Sequence, residues 1–209
     1  DPVRFLSNRS SGKQGHALAQ AAIDAGADVT LISSVDMPVP VGAKWVRYQQ
    51  AVELLQAVQH EIVHPSPCDV LIMAAAVADF RPASQSEQKI KKHADGSAPT
   101  LDLARNPDIL MAVRDQREAD EALKSLLVVG FAAESQHLLE NAQGKLERKR
   151  LDLIVANDIT ASDAGFAAET NRVTILDRSG QHDVLALRSK ALVSEHVMAR
   201  IAMLSRRRD

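Results

Sequence analysis

The stretch "PVRFLSNRSSGKQGHALAQAAIDAGADVTLIS", residues 2–33, decides the fold class. "PVRFLS" predicts a short strand, the helix formers after Gly12 predict a helix that ends near Gly26, and "DVTLIS" predicts a second strand. This is the start of a βαβ unit. Its polar loop, residues 7–15, directs backbone N–H groups and a helix N-terminus toward whatever lies above it, an arrangement that favours anions. An ordinary turn is the alternative, because Ser, Asn and Gly are also common turn residues.

The loop does not match the standard phosphate-binding motifs. A Walker loop would have glycine in place of Ser7 and Ser or Thr in place of Gln14. A dinucleotide fingerprint needs three glycines, and this loop has two. The residues that remain as candidates for anion contacts are Ser10, Ser11, Gly12 and Gly15.

The composition excludes several classes of protein. A chain of 209 residues can bury one sizeable core, so we expect a single domain over residues 1–209. A formal net charge of -2 and an aromatic content of 3% argue against a general nucleic-acid binder. No apolar run is long enough to span a membrane, and "DPVRF" lacks the pattern of a signal peptide. The single cysteine, Cys68, fits a reducing compartment, so we expect a cytoplasmic protein with a buried, inert thiol.

Alternating strand and helix patterns continue along the chain. "KWVRYQ" and "DVLIMAAAVADF" predict strands, and "QAVELLQAVQHEIVH" predicts a helix between them. "SLLVVGFAAE" and "LDLIVAN" predict two further buried strands, each preceded by a helix, the first of which has Asn106 as its cap and Pro107 at its first position. We therefore predict an α/β fold with a doubly wound, mostly parallel, Rossmann-like sheet and helices on both faces.

Two hairpins complete the predicted fold. "RVTILDRSGQHDVLAL" predicts an antiparallel hairpin at the sheet edge, followed by a helix from about Ser189. "QKIKKHADGSAPTLDLA", residues 88–104, predicts two short strands around Asp95-Gly96. Because this segment is too polar for the core, we expect it to form a projecting β-hairpin.

Small or polar residues follow four of the predicted strands. These strand exits are residues 8–15, 76–79 and 131–134, and Asn157 with Asp158. Ligands of doubly wound sheets bind outside the carboxyl ends of the strands. The exits therefore predict a crevice of nucleotide size.

The pentapeptide "HEIVH", residues 60–64, matches the H-E-x-x-H pattern of zinc peptidases. On the predicted helix, however, His60 and His64 fall opposite the apolar stripe and Pro65 ends the helix. A solvated histidine pair is the interpretation that we favour over a zinc site.

An ordered set of short motifs resembles one known family. "DPVRFLSNRSSGKQG", "AAAVADFRP", "KIKK", "NPDIL", "GFAAE" and "LIVANDI" are similar in order and spacing to the bacterial phosphopantothenoylcysteine synthetase domain of coenzyme A biosynthesis. The resemblance implies a ligase that joins 4'-phosphopantothenate to L-cysteine with CTP, through an acyl-cytidylate. It also implies Mg²⁺ carried by the nucleotide phosphates, with no metal site made of protein ligands alone. A homodimer and a fused flavin-dependent decarboxylase domain in the full-length protein are further implications.

The resemblance also implies roles for individual residues. Asn8 matches the asparagine that holds the acyl-cytidylate, and Lys89 matches the "KIKK" lysine over the phosphates, so both are candidate catalytic residues. The other matched positions imply contacts with CTP: the base and ribose at Met73, Ala74, Ala75 and Asp79, the nucleotide at Pro107, Asp108, Ile109 and Leu110, the base at Phe131, and the triphosphate at Lys145 and Lys149.

Several of these residues also have a structural interpretation that needs no ligand. Asn8 is also a common turn residue, and Phe131 is also a typical core residue. Lys145 and Lys149, four residues apart on one helix face, would complement the dipole at a helix C-terminus in any protein. Two other functions suit the fold, a non-catalytic nucleotide-binding module and a nicotinamide oxidoreductase, although the missing third glycine disfavours the second.

Overall fold

The computed structural model describes residues 1–92, 96–134, 137–158 and 168–206. Five α-helices and nine strands lie within these ranges. The helices are α1 Lys13–Asp24, α2 Ala51–Glu61, α3 Ile109–Ala119, α4 Leu138–Arg148 and α5 Lys190–Arg206. The strands are β1 Thr30–Ser33, β2 Lys44–Arg47, β3 Val70–Met73, β4 Phe80–Pro82, β5 Leu103–Arg105, β6 Leu127–Glu134, β7 Leu153–Asp158, β8 Thr170–Asp177 and β9 His182–Ser189.

The main sheet has five strands in the order β3-β6-β7-β8-β9. Its first three strands are parallel, and β8 and β9 are antiparallel additions at one side. Strands β1 and β2 form a separate parallel pair. The predicted α/β class, the parallel-rich sheet and the antiparallel edge hairpin are therefore confirmed.

Helices cover both faces of the sheet, as predicted. Val128 of β6 packs into the cluster under α2, α3 and α4, whereas its neighbours Leu127 and Val129 pack into the cluster under α1 and α5. Successive residues of a strand point to opposite faces, so a strand that is covered on both faces needs a continuous apolar run. This requirement explains the unbroken apolar sequence of β6.

Strand direction brings the start of α5 beside the start of α1. Strand β8 is antiparallel to β7, and β9 is antiparallel to β8, so β9 ends on the same side as the parallel strands. We call that side, where β3, β6, β7 and β9 all end, the carboxyl edge. Helix α5 begins there at Lys190 and packs along α1, which begins at Lys13.

The predicted first strand is not formed. Residues 2–7 have no strand partner, and Phe5 is 90% exposed. Instead of pairing with a strand, the N–H groups of Val3 and Arg4 both donate to Asp1 Oδ1, at 3.0 and 2.9 Å. A strand needs a neighbouring ladder, and apolar residues alone do not provide one.

The predicted hairpin at residues 88–104 is also wrong in its pairing. Residues 88–92 and 96–102 form no strand, and Asp95 of the predicted turn lies outside the described residues. Leu103–Arg105 instead pairs antiparallel with Phe80–Pro82, which follows the β3 exit. The polar segment therefore forms a long connection between two strands of an antiparallel ribbon, β4–β5.

The start of α3 differs from the prediction by two residues. Asp108, not Asn106, is the N-cap, and its carboxylate accepts a hydrogen bond from Met111 N at 3.2 Å. Asn106 instead forms tertiary hydrogen bonds with the residues that follow β3. None of the helices in the described ranges is long and apolar enough to cross a membrane.

Candidate functional site

Three of the four predicted strand exits lie side by side at the carboxyl edge, because β3, β6 and β7 are adjacent and parallel. The fourth exit, the loop at residues 8–15, contacts the exit of β3 through the side chain of Asn8. Asn8 Nδ2 donates to the carbonyl oxygen of Val77, in the β3 exit, at 3.1 Å. The structure therefore brings the predicted anion loop and the strand exits together.

Helix α1 begins inside the anion loop with its first amides poorly capped. Gly12, the N-cap residue, has a left-handed backbone (φ +71°) and no capping side chain. The amide nitrogen of Gly12 lies 3.4 Å from Ser10 Oγ, and that of Lys13 lies 3.5 Å from Ser11 Oγ. Both distances are near the upper limit for a hydrogen bond. Amides at a helix start with weak partners suit an anionic ligand.

The exit of β3 offers mainly backbone groups. Met73 is buried in the core, and the side chains of Ala74 and Ala75 pack toward opposite faces of the sheet. Any contact that these three residues make with a ligand would therefore come from their main chain. Asp79, at the end of the same exit, has an exposed side chain.

Asn106 ties this exit to the start of α3. Its backbone N–H donates to Asp79 O, and its Nδ2 donates to Ala78 O, each at 2.8 Å. Two of the predicted nucleotide-contacting segments, around Asp79 and Pro107, are therefore adjacent. Sequence reasoning missed this role because the contact joins residues 27 or more positions apart.

Asp108 and Lys149, both predicted nucleotide contacts, form an ion pair. Lys149 Nζ lies 2.9 Å from the carboxylate of Asp108, which also caps α3. The pair joins the C-terminal end of α4 to the N-terminal end of α3. Lys145 lies one turn earlier on α4 and is half-buried, and the side chain of Ile109 is buried in the core with Leu110 packed against it.

Lys89 lies in an exposed segment that is fastened to the N-terminal residues. Ile90 N donates to Asp1 Oδ2 at 3.2 Å, and Arg4 Nη2 donates to Ile90 O at 2.8 Å. The Asp1 carboxylate also accepts bonds from the Arg4 guanidinium, and its side chain is only 1% exposed. These contacts hold the lysine segment against the residues that lead into Asn8, and the sequence motifs had assigned no such role to Asp1 or Arg4.

Asn157 is the residue at the carboxyl edge whose hydrogen bonding is incomplete. It lies opposite Ala133 in the β6–β7 register. Its Oδ1 is buried and accepts no hydrogen bond from the described part of the chain. A buried polar atom without a partner is costly, so a ligand that donates to it would gain affinity. Phe131, on the neighbouring strand, is half-buried against the α1/α5 cluster.

Two other candidate chemistries lie away from this edge. The side chains of His60 and His64 are exposed, at the end of α2 and before β3 starts. Within the described ranges, no group of three or more His, Cys, Asp or Glu residues is arranged to hold a metal ion. Cys68 is half-buried before the same strand, and burial raises the pKa of its thiol, which is the behaviour of an unreactive cysteine.

Comparison with known proteins gives a consistent result. The family model described as "DNA/pantothenate metabolism flavoprotein C-terminal domain" matches residues 1–204. The coenzyme A biosynthesis bifunctional protein CoaBC of Bacillus subtilis is 44% identical over 208 residues, an alignment that covers 99% of this chain and 48% of that protein. The protein of the same name from Vibrio cholerae is 43% identical over 199 residues, covering 95% and 48%. The chain thus spans about half the length of these curated relatives.

Solved structures share the fold. The crystal structure of the C-terminal domain of CoaBC superimposes with a TM-score of 0.76 at 33% identity, covering 98% of this chain and 88% of that one. A Cab2 mutant in complex with phosphopantothenate-cysteine has a TM-score of 0.69 at 17% identity, covering 98% and 81%. The second likeness concerns the fold alone.

The anion loop gives a testable prediction about Gly12. In Gly12→Ala the new Cβ would overlap the Val35 side chain, and the left-handed backbone itself costs roughly 1–2 kcal/mol for a residue with a Cβ. We expect the variant to lose about 1–3 kcal/mol of unfolding free energy in urea titrations. Gly15→Ala is the matched control, because its Cβ would meet no atom within 4 Å and it lies inside α1. The control should be neutral or slightly stabilised, and equal losses in both variants would contradict the argument.

Proposed function

Because the chain belongs to the family of DNA/pantothenate metabolism flavoprotein C-terminal domains, we propose that it is a phosphopantothenate–cysteine ligase that uses CTP. The observation that carries the proposal is the Asn8–Val77 hydrogen bond, which joins the anion loop to the strand exits. An acyl substrate on the loop and a nucleotide on the exits would then be neighbours. The CoaBC relatives are named for coenzyme A biosynthesis, and the proposed reaction belongs to that process.

The proposed reaction has two steps. First, a carboxylate oxygen of 4'-phosphopantothenate attacks the α-phosphorus of CTP. The bond between that phosphorus and the bridging oxygen breaks, and pyrophosphate leaves. The amine of L-cysteine then attacks the acyl carbon, loses a proton and expels CMP. Neither step needs a covalent protein nucleophile, so the protein contributes positioning and charge neutralisation.

Cations on opposite sides of the crevice would neutralise the triphosphate. Lys145 and Lys149 would reach the triphosphate from the C-terminal end of α4, and Lys89 would reach it from the connection between β4 and β5. Asp108 fixes the position of Lys149 before the nucleotide arrives. Charge held in place before the reaction stabilises a developing pyrophosphate without reorganisation in the transition state.

Asn8 would act on the acyl group. Its side-chain amide carries two N–H donors and one acceptor oxygen. The bond to Val77 O uses one donor, which fixes the amide at the carboxyl edge. The second donor would bind an acyl oxygen of the cytidylate, while the amide oxygen would accept a hydrogen bond from the attacking amine.

The nucleoside would lie along the exits of β3 and β6. The backbone groups of Met73, Ala74 and Ala75 would bind the base, the exposed Asp79 carboxylate the ribose hydroxyls, and the ring of Phe131 would pack beside the base. Pro107 and Leu110 would complete the wall at the start of α3, where Asn106 N donates to Asp79 O. Backbone donors and acceptors are fixed by the strands, so they suit recognition of a flat polar base.

Mg²⁺ is part of the proposal as an ion that arrives with the nucleotide. The described ranges contain no cluster of three or more metal-binding side chains. Because Mg²⁺ retains several waters and is often held by substrate phosphates, the proposal assigns it to the triphosphate. When bound, the ion supplies positive charge to the triphosphate oxygens.

The proposed function is tested by pyrophosphate release. With 4'-phosphopantothenate and Mg²⁺, we expect release with CTP but much less with ATP, and CMP with the ligated product only after cysteine is added. Release without any acyl substrate would instead indicate a nucleotide hydrolase. Binding of CTP without release would favour the non-catalytic module, and reduction or oxidation of a nicotinamide would favour the oxidoreductase.

Lys89→Gln should impair the first step. The variant removes a cation next to the phosphates, and loss of one such stabilising group costs about 10²-fold in the rate of pyrophosphate release. Lys92→Gln, in the same exposed segment, is the matched control and should retain its rate. A normal single-turnover rate in Lys89→Gln would remove this residue from the mechanism.

A homodimer completes the proposal. The β4–β5 ribbon pairs with no other strand in the described residues. It exposes Phe80 and Leu103, and Leu101, two residues before Leu103, is also exposed. An isolated two-stranded ribbon is marginally stable in water, and a large exposed apolar patch commonly marks an association surface. A second copy of the chain would bury this ribbon.

Leu103→Asp should shift the assembly toward monomer in analytical ultracentrifugation, because it places a charge where the ribbon would pack against its partner. Val184→Asp is the control, since Val184 is 72% exposed on the other antiparallel hairpin. We expect the control to sediment as wild type does. A monomeric wild-type chain at micromolar concentration would contradict the proposed dimer.

A further inference from the structure

Two asparagine residues from distant parts of the chain hold the exit of β3. Val77, Ala78 and Asp79 follow β3 and precede β4. Asn8 Nδ2 donates to Val77 O at 3.1 Å. Asn106 donates twice, from Nδ2 to Ala78 O and from its backbone N–H to Asp79 O, each at 2.8 Å. Backbone carbonyl groups between two strands lack the partners that a strand ladder supplies, so these three bonds set the conformation of the exit.

The backbone of Asn106 continues the register of the β4–β5 ribbon. Phe80 pairs with Arg105, so Asp79 and Asn106 form the next antiparallel pair. Pro107 restricts the residue before it to extended conformations, which suits this pairing. The base of the ribbon, the exit of β3 and the start of α3 therefore meet at Asn106, whose side chain is half-buried.

Arg81 determines which way the amide of Asn106 faces. Arg81 Nη1 donates to Asn106 Oδ1 at 3.3 Å, and it also donates to the carbonyl oxygen of Arg105. A guanidinium group has only donors and a backbone carbonyl only accepts, so Oδ1 faces Arg81 while Nδ2 faces Ala78 O. A carboxylate at position 106 would direct an acceptor at Ala78 O, and an aliphatic side chain would offer it no donor. The position therefore requires an amide.

We propose that Asn106 is a positioning residue for the nucleotide and that it acts through Asp79. The identity of the nucleotide rests on the proposed function, in which the exposed Asp79 carboxylate binds the ribose hydroxyls. The carbonyl of Ala78 belongs to the peptide group before the Asp79 Cα, and the carbonyl of Asp79 belongs to the peptide group after it. Because Asn106 binds both, it fixes the backbone on each side of that Cα and thereby the direction of the side chain. A carboxylate that is held in place before the ribose arrives loses less entropy on binding.

The test measures binding of CTP and of 2',3'-dideoxy-CTP by calorimetry. In Asn106→Ala we expect the Kd for CTP to rise about tenfold, because the ribose contact loses its alignment. The Kd for the dideoxy nucleotide, which lacks these hydroxyls, should change little, and the KM for 4'-phosphopantothenate should stay unchanged. Gln56→Ala is the matched control, because Gln56 carries an exposed side-chain amide on α2, and it should bind both nucleotides as the wild type does.

A double-mutant cycle tests whether Asn106 acts through Asp79. Asp79→Ala removes the carboxylate itself, so adding Asn106→Ala to that variant should weaken CTP binding little further. Full losses that multiply in the double variant would show that the two residues act independently, and they would overturn the proposed route.

A second variant covers the case in which Asn106→Ala does not fold. The side chain of Arg81 is exposed, so Arg81→Gln should fold normally. It removes the group that orients the Asn106 amide, and we expect the Kd for CTP to rise about two- to threefold while that for the dideoxy nucleotide stays constant.

Other outcomes would overturn the positioning role. Equal weakening of both nucleotides would assign Asn106 a structural role only. Unchanged CTP binding in both variants, with normal pyrophosphate release, would refute the inference and leave the proposed function standing. If the wild-type chain binds CTP but releases no pyrophosphate, the ligase function fails, and the comparison of the two nucleotides still decides the role of Asn106. A wild-type chain that does not bind CTP would refute both.

Discussion

The parallel pairing of β3, β6 and β7 is the constraint on which the rest of the structure depends. It places three strand ends at one edge, and the register of Ala133 with Asn157 sets how far each strand projects there. Parallel strands are stable only when both faces are covered, which explains the two helical layers and the nearly unbroken apolar strands. Polar side chains of these strands are therefore confined to the strand ends and the loops. The polar residues that follow β3, β6 and β7 consequently lie at the carboxyl edge.

The two helical layers carry separate groups of lysines. Lys145 and Lys149 belong to the C-terminal end of α4, whereas Lys13 and Lys190 begin α1 and α5. Like charges on opposite faces are separated by the sheet, so they repel one another less than a single cluster would.

The sequence predicted the fold well because its signals are local. Apolar runs and capping residues indicated α1, β6 and the β8–β9 hairpin without reference to the rest of the chain. The failures concern pairing: residues 2–7 have strand-like residues but no ladder, and Leu103–Arg105 pairs with a strand more than 20 residues earlier. The pairing of two strands depends on backbone groups that are distant in sequence. A local sequence pattern therefore does not predict the partner of a strand.

For the site, the strand exits were predictable, but the contacts that join them were not. The topology rule placed Asn157 and residues 76–79 at one edge. The link from Asn8 to Val77 and the fastening of Ile90 to Asp1 join residues 69 and 89 positions apart, so only the folded chain shows them.

In each group of lysines, one lysine forms an ion pair with a carboxylate that is at least partly exposed to water. Lys149 pairs with Asp108, whose side chain is 45% exposed, and Lys13 pairs with Glu169, which is more exposed still. Ion pairs with an exposed partner are weak, because water solvates the carboxylate nearly as well when the pair is broken. A phosphate carries more charge and more acceptor oxygens than a carboxylate, so it competes effectively for the same ammonium group. Under the proposed function, Asp108 would hold Lys149 in position until a phosphate of the nucleotide replaces the carboxylate, and the cost of releasing that carboxylate to solvent would be small.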